Sequence, residues 1–218
     1  GGGCAMKKRL VFCFDGTWNR LSSETPTNVV KLAQMVMPTA PDGTPQIVHY
    51  DEGIGTDSKL NRWTGGIFGE GMVSIMREAY RFLIFNYAPG DEIFAFGFSR
   101  GAYTARSFIG FVRHAGILDA AYANQIDKAI EIYRTAPAGQ VGEESKAAIA
   151  FRFKNCTGCC VSEEDRAARQ QLYAALSDAG RDIYPRDPAT VELIDIRYLG
   201  VWDTVRALGI PEFIPILR

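Results

Sequence analysis

Ile93-Phe94-Ala95-Phe96-Gly97-Phe98-Ser99-Arg100-Gly101-Ala102 is the stretch on which the reading of this chain turns. An apolar run of buried-strand type meets a G-x-S-x-G turn, and a helix-patterned segment from Ala102 to Val112 follows it. In that context the pentapeptide reads as a nucleophile elbow. A serine held in a sharp, strained strand-to-helix turn projects its hydroxyl from the top of the sheet. The two glycines keep side-chain atoms out of the crowded contact between strand and helix. Outside this context the same pattern is an ordinary tight turn.

Working outward, Arg9 to Phe14 is apolar at nearly every position, as a central parallel strand is. Val29 to Met37 carries apolar residues at helical spacing and stops before Pro38. Gln46 to Tyr50 is a second strand, and Asp51 to Gly71 a long glycine-rich loop. Met72, Ile75, Met76, Ala79, Phe82 and Leu83 form one helical stripe. The order strand, helix, strand, helix, strand, elbow, helix predicts an α/β fold with a mostly parallel sheet covered on both faces.

From residue 119 to about 190 the pattern is helical, with stretches at Ile126–Tyr133 and Ala147–Phe153. A third helix is expected to open at Ser162, followed by Glu163, Glu164 and Asp165, and to close at Gly180. No strand is expected there. The segment reads as an insertion, either a cap over the site or a plain helical layer. Val191 to Val201 then restores a strand that leads into Trp202-Asp203-Thr204.

The 218 residues are 47% hydrophobic with a formal net charge of −1, which gives no electrostatic case for a nucleic-acid partner. No apolar run approaches the roughly 20 residues of a membrane span. The N-terminus lacks a signal-peptide pattern, so the chain is expected in the cytoplasm as made, with any export by a route that needs no signal peptide. Gly1 to Ala5 reads as a remnant of cloning ahead of a native start at Met6, and the last residues read as an interior segment of an incomplete domain, 6–218. Cys156, Cys159 and Cys160 form C-x-x-C-C in an expected loop. With no second pair at metal spacing, reduced thiols are expected, with a local disulfide or a chance metal site as the alternatives.

A serine nucleophile needs a base within hydrogen-bond reach and an acid to orient that base. In α/β hydrolases these follow in the order Ser, Asp or Glu, His. Asp203, just beyond a buried strand at the edge where Ser99 emerges, fits the acid; a turn aspartate is the alternative. Only His49 and His114 exist. His114 lies near the far end of the elbow helix, roughly 20 Å from the hydroxyl at 1.5 Å per residue. His49 sits near a strand end but breaks the order, so it is a weak candidate, and the base is expected beyond Arg218. The oxyanion of an acyl-transfer intermediate needs backbone N–H donors. Arg100, directly after the nucleophile, is one. Gly16 and Thr17, in the Asp15-Gly16-Thr17-Trp18 turn after the first strand, are the others. That Asp-Gly-Thr also matches phosphatases of the haloacid dehalogenase type, but their nucleophilic aspartate would fall at Cys13, so phosphoaspartate chemistry is excluded.

Four spaced motifs form an ordered set: Phe14-Asp15-Gly16-Thr17-Trp18-Asn19, Tyr50-Asp51-Glu52-Gly53-Ile54-Gly55-Thr56, Gly97-Phe98-Ser99-Arg100-Gly101-Ala102-Tyr103, and Gly200-Val201-Trp202-Asp203-Thr204-Val205. The set resembles a bacterial α/β-hydrolase family long classed as a domain of unknown function, whose studied members include type VI secretion phospholipase effectors. The resemblance runs from about Lys7 to Pro211. It implies a three-layer α/β-hydrolase sandwich and a Ser-Asp-His hydrolase of acyl esters, with Ser99 as nucleophile and Asp203 as acid. It further implies a lipid or small-molecule ester as substrate, transient contact with a membrane surface, and no metal or organic cofactor. The family's late histidine has no counterpart in this sequence, so these residues alone are expected to turn over weakly or not at all. A non-catalytic binding or toxin-associated module on the same fold is the alternative.

Overall fold

The computed structural model describes residues 7–16, 26–53, 67–136 and 145–202. Asp203, Thr17 and the two ends of the chain, on which several expectations fall, lie outside the described residues.

Strand β1 (Arg9–Phe14) is buried at every position after Arg9 because it has a neighbour on each side. It pairs in parallel with β2 (Gln46–Asp51) and with β3 (Glu92–Phe98), and β3 pairs in parallel with β6 (Asp195–Trp202). The sheet order is β2-β1-β3-β6. Side-chain alternation divides β1 between two cores. Leu10, Phe12 and Phe14 face helices α2 (Ile67–Asn86) and α3 (Arg100–Ala115). Val11 and Cys13 face α1 (Asn28–Met35). The expected α/β architecture, parallel and covered on both faces, is what forms.

Helix α2 begins at Ile67, so it takes in the end of the stretch read as loop, and the stripe predicted from Met72 onward packs on the sheet. Helix α3 runs back down the sheet from its elbow. Its last turn lies at the opposite end of the strands from Ser99.

Four helices follow: α4 (Ile126–Thr135), α5 (Lys146–Asn155), α6 (Glu163–Ala174) and α7 (Asp178–Ile183). Ser162 caps α6 as expected, its hydroxyl accepting from the Asp165 N–H. The helix does not continue to Gly180. It stops at Ala174, and Ser177 caps a separate helix by accepting from the Gly180 N–H at 3.1 Å. One short strand also forms where none was expected. Cys159–Cys160 (β4) pairs in parallel with Glu192–Leu193 (β5), and the Ile194 N–H donates to the Cys160 carbonyl at 2.8 Å. The strand predicted over Val191–Val201 is therefore two strands, broken at Ile194.

The described part of this segment is anchored away from the elbow. Arg152 of α5 donates to the His114 carbonyl, and the Cys156 thiol donates to the Ala115 carbonyl at 3.3 Å, both in the last turn of α3. Tyr133 of α4 donates to the Ser107 carbonyl along the flank of α3. The described helices α4 and α5 flank α3.

Candidate active site

Because all four strands of the main sheet are parallel, their carboxyl ends gather at one edge, where ligands collect in open α/β sheets. Asp15-Gly16 follows β1, Glu52-Gly53 follows β2, Ser99 follows β3, and β6 ends at Trp202.

Ser99 has φ 54° and ψ −116°, and it is the non-glycine residue with positive φ among those described. Such a backbone costs on the order of 1–3 kcal/mol and persists only where the surroundings impose it. Those surroundings are visible. A methyl group on Gly97 would lie 2.6 Å from the Ala102 Cα, and one on Gly101 would overlap the Phe14 carbonyl oxygen and lie 2.6 Å from that of Asp15. The elbow glycines thus let α3 start directly over β3 and against the end of β1. Ser99 donates its N–H to the Trp202 carbonyl at 2.9 Å, and its side chain is half-buried rather than enclosed.

The chain directly before Asp203 is therefore fixed beside the serine. Phe98 stands in register with Trp202, and the peptide leading to Asp203 carries the carbonyl that accepts from Ser99. Arg100 is the first residue of α3, so its amide belongs to the donor set at the positive end of the helix dipole. Burial lowers the pKa of its guanidinium.

Gly16 lies where the sequence places it, against the serine. A methyl there would be 3.4 Å from the Ser99 Cβ and 3.3 Å from the Phe98 carbonyl oxygen. Its N–H, the expected oxyanion donor, donates to the Asp15 Oδ1 at 2.7 Å. Thr17 falls outside the described residues. The motif around Gly53 closes on the same spot. Gly53 has φ 81°, and a methyl on it would lie 2.9 Å from the Asp15 carbonyl oxygen.

His49 does not reach the serine. It stands opposite Phe12, which is also opposite Ala95. It is thus two strands across and four residues below Ser99, roughly 10 Å and 13 Å. Its ring packs between Phe12 and Phe82, with centroids at 5.7 and 5.0 Å, and burial lowers its pKa. His114, in the last turn of α3 with its ring against Tyr133, is farther still.

Among the described residues no group of three or more His, Cys, Asp or Glu side chains is placed to hold a metal ion, and no helix is long and apolar enough to cross a membrane. Cys13, Cys156, Cys159 and Cys160 are free, buried thiols; Cys159 and Cys160 lie in β4 rather than in the loop expected. Burial pushes the Cys159 thiol up to about 12, which leaves it protonated and unreactive at neutral pH.

The missed residues are Asp15, Thr27 and Tyr50. Asp15 is 2% exposed, and its Oδ2 accepts from the Thr27 hydroxyl at 2.7 Å and the Tyr50 hydroxyl at 2.9 Å. Tyr50 and Asp15 were each inside a quoted motif, but the 35-residue separation between them hides the contact from any local pattern.

The family described as type VI secretion system phospholipase effector Tle1-like, catalytic domain, matches residues 8–217 of the chain. An uncharacterized protein of Saccharomyces cerevisiae is 31% identical over 140 residues, which is 58% of this chain and 20% of that protein. The chain thus spans about a fifth of the length of that relative. No solved structure matches it.

Proposed function

The chain belongs to the Tle1-like family of type VI secretion phospholipase effector catalytic domains, and from that premise we propose that it hydrolyses acyl esters of phospholipids on an α/β-hydrolase scaffold, with Ser99 as nucleophile. The observation that carries the reading is the backbone of Ser99, φ 54° and ψ −116°, in a half-buried residue at the carboxyl edge of a parallel sheet. In α/β hydrolases a turn of that kind presents the nucleophile's oxygen at the top of the sheet.

In this reading the Ser99 hydroxyl gives its proton to a histidine base as its oxygen bonds to the ester carbon. The tetrahedral oxyanion is held by backbone donors, with the Arg100 amide as the first of them. Collapse expels the alcohol, which takes the proton from the base, and leaves an acyl-enzyme. Water, deprotonated by the same base, releases the fatty acid and regenerates Ser99. Asp203, one residue past the carbonyl that accepts from Ser99, is the acid that orients the base. His49 and His114 are both too distant from Ser99 to be that base. The family's secretion route fits export without a signal peptide, and a lipid substrate fits transient contact with a membrane surface.

The position of the two histidines also favours a second reading, a binding module that keeps the elbow without turnover. Fluorophosphonate labelling of the full-length protein, together with fatty-acid release from phospholipid vesicles, separates the two. The enzyme reading expects labelling and release from the wild type and neither from Ser99→Ala. Equal labelling of both proteins removes Ser99 from the chemistry, and labelling without release supports the module.

A further inference from the structure

The mechanism leaves one buried group near Ser99 without a task, the carboxylate of Asp15. Each of its oxygens is engaged. Oδ1 accepts from the Gly16 N–H at 2.7 Å, and Oδ2 accepts from the hydroxyls of Thr27 at 2.7 Å and Tyr50 at 2.9 Å. Its own N–H donates to the Asp51 carbonyl at 2.9 Å. Thr27 in turn caps α1, accepting from the Val30 N–H at 3.1 Å. The exit of β1, the start of α1 and the end of β2 are therefore joined at one side chain.

What this joint holds is the peptide beside the nucleophile. A methyl on Gly53 would lie 3.3 Å from the Gly16 carbonyl, and one on Gly16 would lie 3.4 Å from the Ser99 Cβ, so the Gly16 backbone passes close to both. The bond from Gly16 to Oδ1 turns the Asp15–Gly16 peptide so that its N–H faces the carboxylate. The carbonyl of that peptide then faces the close approach of Gly53 and Gly101.

We propose that Asp15 is a positioning residue for the Ser99 site: its carboxylate, through Gly16, fixes the loop after β1 against the nucleophile. This rests on the reading of Ser99 as the nucleophile. Asp15 does not touch substrate and transfers no proton. Its removal therefore lowers the rate of acylation without weakening substrate binding.

The far end of the fold supplies a matched control. The Asp119 carboxylate also accepts from three donors, the Thr157 N–H at 2.9 Å, the Thr157 hydroxyl at 2.6 Å and the Gly158 N–H at 3.1 Å. It lies beyond the last turn of α3, away from Ser99.

The test compares Asp15→Asn, Tyr50→Phe and Asp119→Asn with wild type and Ser99→Ala, all in the full-length protein. Phosphatidylcholine vesicles give kcat and KM, a fluorophosphonate gives the rate of Ser99 labelling, and thermal melting gives the folded fraction. Asp15→Asn is expected to lower kcat and the labelling rate by about 10- to 100-fold per folded molecule, with KM within about twofold, as misplacement of a reacting group does. Tyr50→Phe is expected to shift the same two quantities in the same direction by less. Asp119→Asn should lower the melting temperature and leave kcat unchanged. A folded Asp15→Asn protein with wild-type labelling, or a loss no larger than that of Asp119→Asn, overturns the proposal. Should Asp15→Asn fail to fold, unchanged kcat and labelling in Tyr50→Phe overturn it. Wild-type labelling of Ser99→Ala is a different failure, since it sinks the nucleophile itself.

Discussion

At the carboxyl edge of the sheet, Gly16, Gly53 and Ser99 meet through backbone and Cβ positions, and the buried Asp15 carboxylate takes its bonds from one amide and two hydroxyls. At the opposite edge the contacts are ionic. Arg152 and Arg169 are buried with Asp165 between them, Arg152 at 2.9 Å and Arg169 at 3.5 Å. The arginines also donate outward to carbonyls, Arg152 to His114, and Arg169 to Cys159 at 2.7 Å and Cys156 at 2.8 Å. Two cations against one carboxylate are tolerable there because those carbonyls accept from the guanidinium groups as well. The lower edge thus ties the helices of the segment to one another by charge and to α3 by hydrogen bonds to its last carbonyls, whereas the upper edge holds the elbow by close approach. Each end is therefore vulnerable to a different kind of substitution.

The largest effect belongs to the ionic end. Asp165→Ala removes the carboxylate that both buried guanidinium groups pair with, and losing one partner of a buried pair costs about 3–5 kcal/mol. The expected result is a large drop in melting temperature with the labelling rate of Ser99 unchanged per folded molecule. Slowed labelling in the folded fraction would show that the two ends are not separable.

The converse substitution is Gly101→Ala. The added methyl meets the Phe14 and Asp15 carbonyls, backbone atoms that cannot rotate away. Overpacking of this kind costs about 1–3 kcal/mol and sometimes more, and the relief route is a shift of α3 relative to β1. Labelling of Ser99 should fall well beyond the loss of folded protein. A protein destabilised to that extent but labelled at the wild-type rate would mean that the elbow tolerates displacement.

This division explains what the sequence made legible. The elbow, β1 and the stripe of α2 were readable because each is a local pattern: a glycine-flanked turn, an unbroken apolar run, a helical period. Ser162 announced its helix for the same reason. The ionic end was not readable, because Arg152 and Arg169 look like ordinary solvated charges on helices until α5 and α6 fold against α3. The break at Ile194 was hidden too, since Val191–Val201 is apolar enough to read as one strand. At the upper edge the acceptor of the Gly16 N–H was hidden from the sequence, because it is the Asp15 side chain, which also accepts from Thr27 and Tyr50 from elsewhere in the fold.

Acid offers a gentler way to set the two ends apart. The ring of His49 lies between Phe12 and Phe82 on the upper half of the sheet, and burial lowers its pKa, with Asp51 and Glu78 opposing the shift. A histidine with a depressed folded pKa contributes its stability above the unfolded value, near 6.5, and loses it as pH falls through that value towards the folded one. The wild type should therefore lose melting temperature between about pH 8 and about pH 5, part of it through this ring. His49→Leu, which keeps an apolar side chain between the two phenyl rings, should flatten that part of the profile. The ionic end supplies a check, because its guanidinium groups stay charged throughout this window. If His49→Leu follows the wild-type curve, protonation of that imidazole is not what acid acts on.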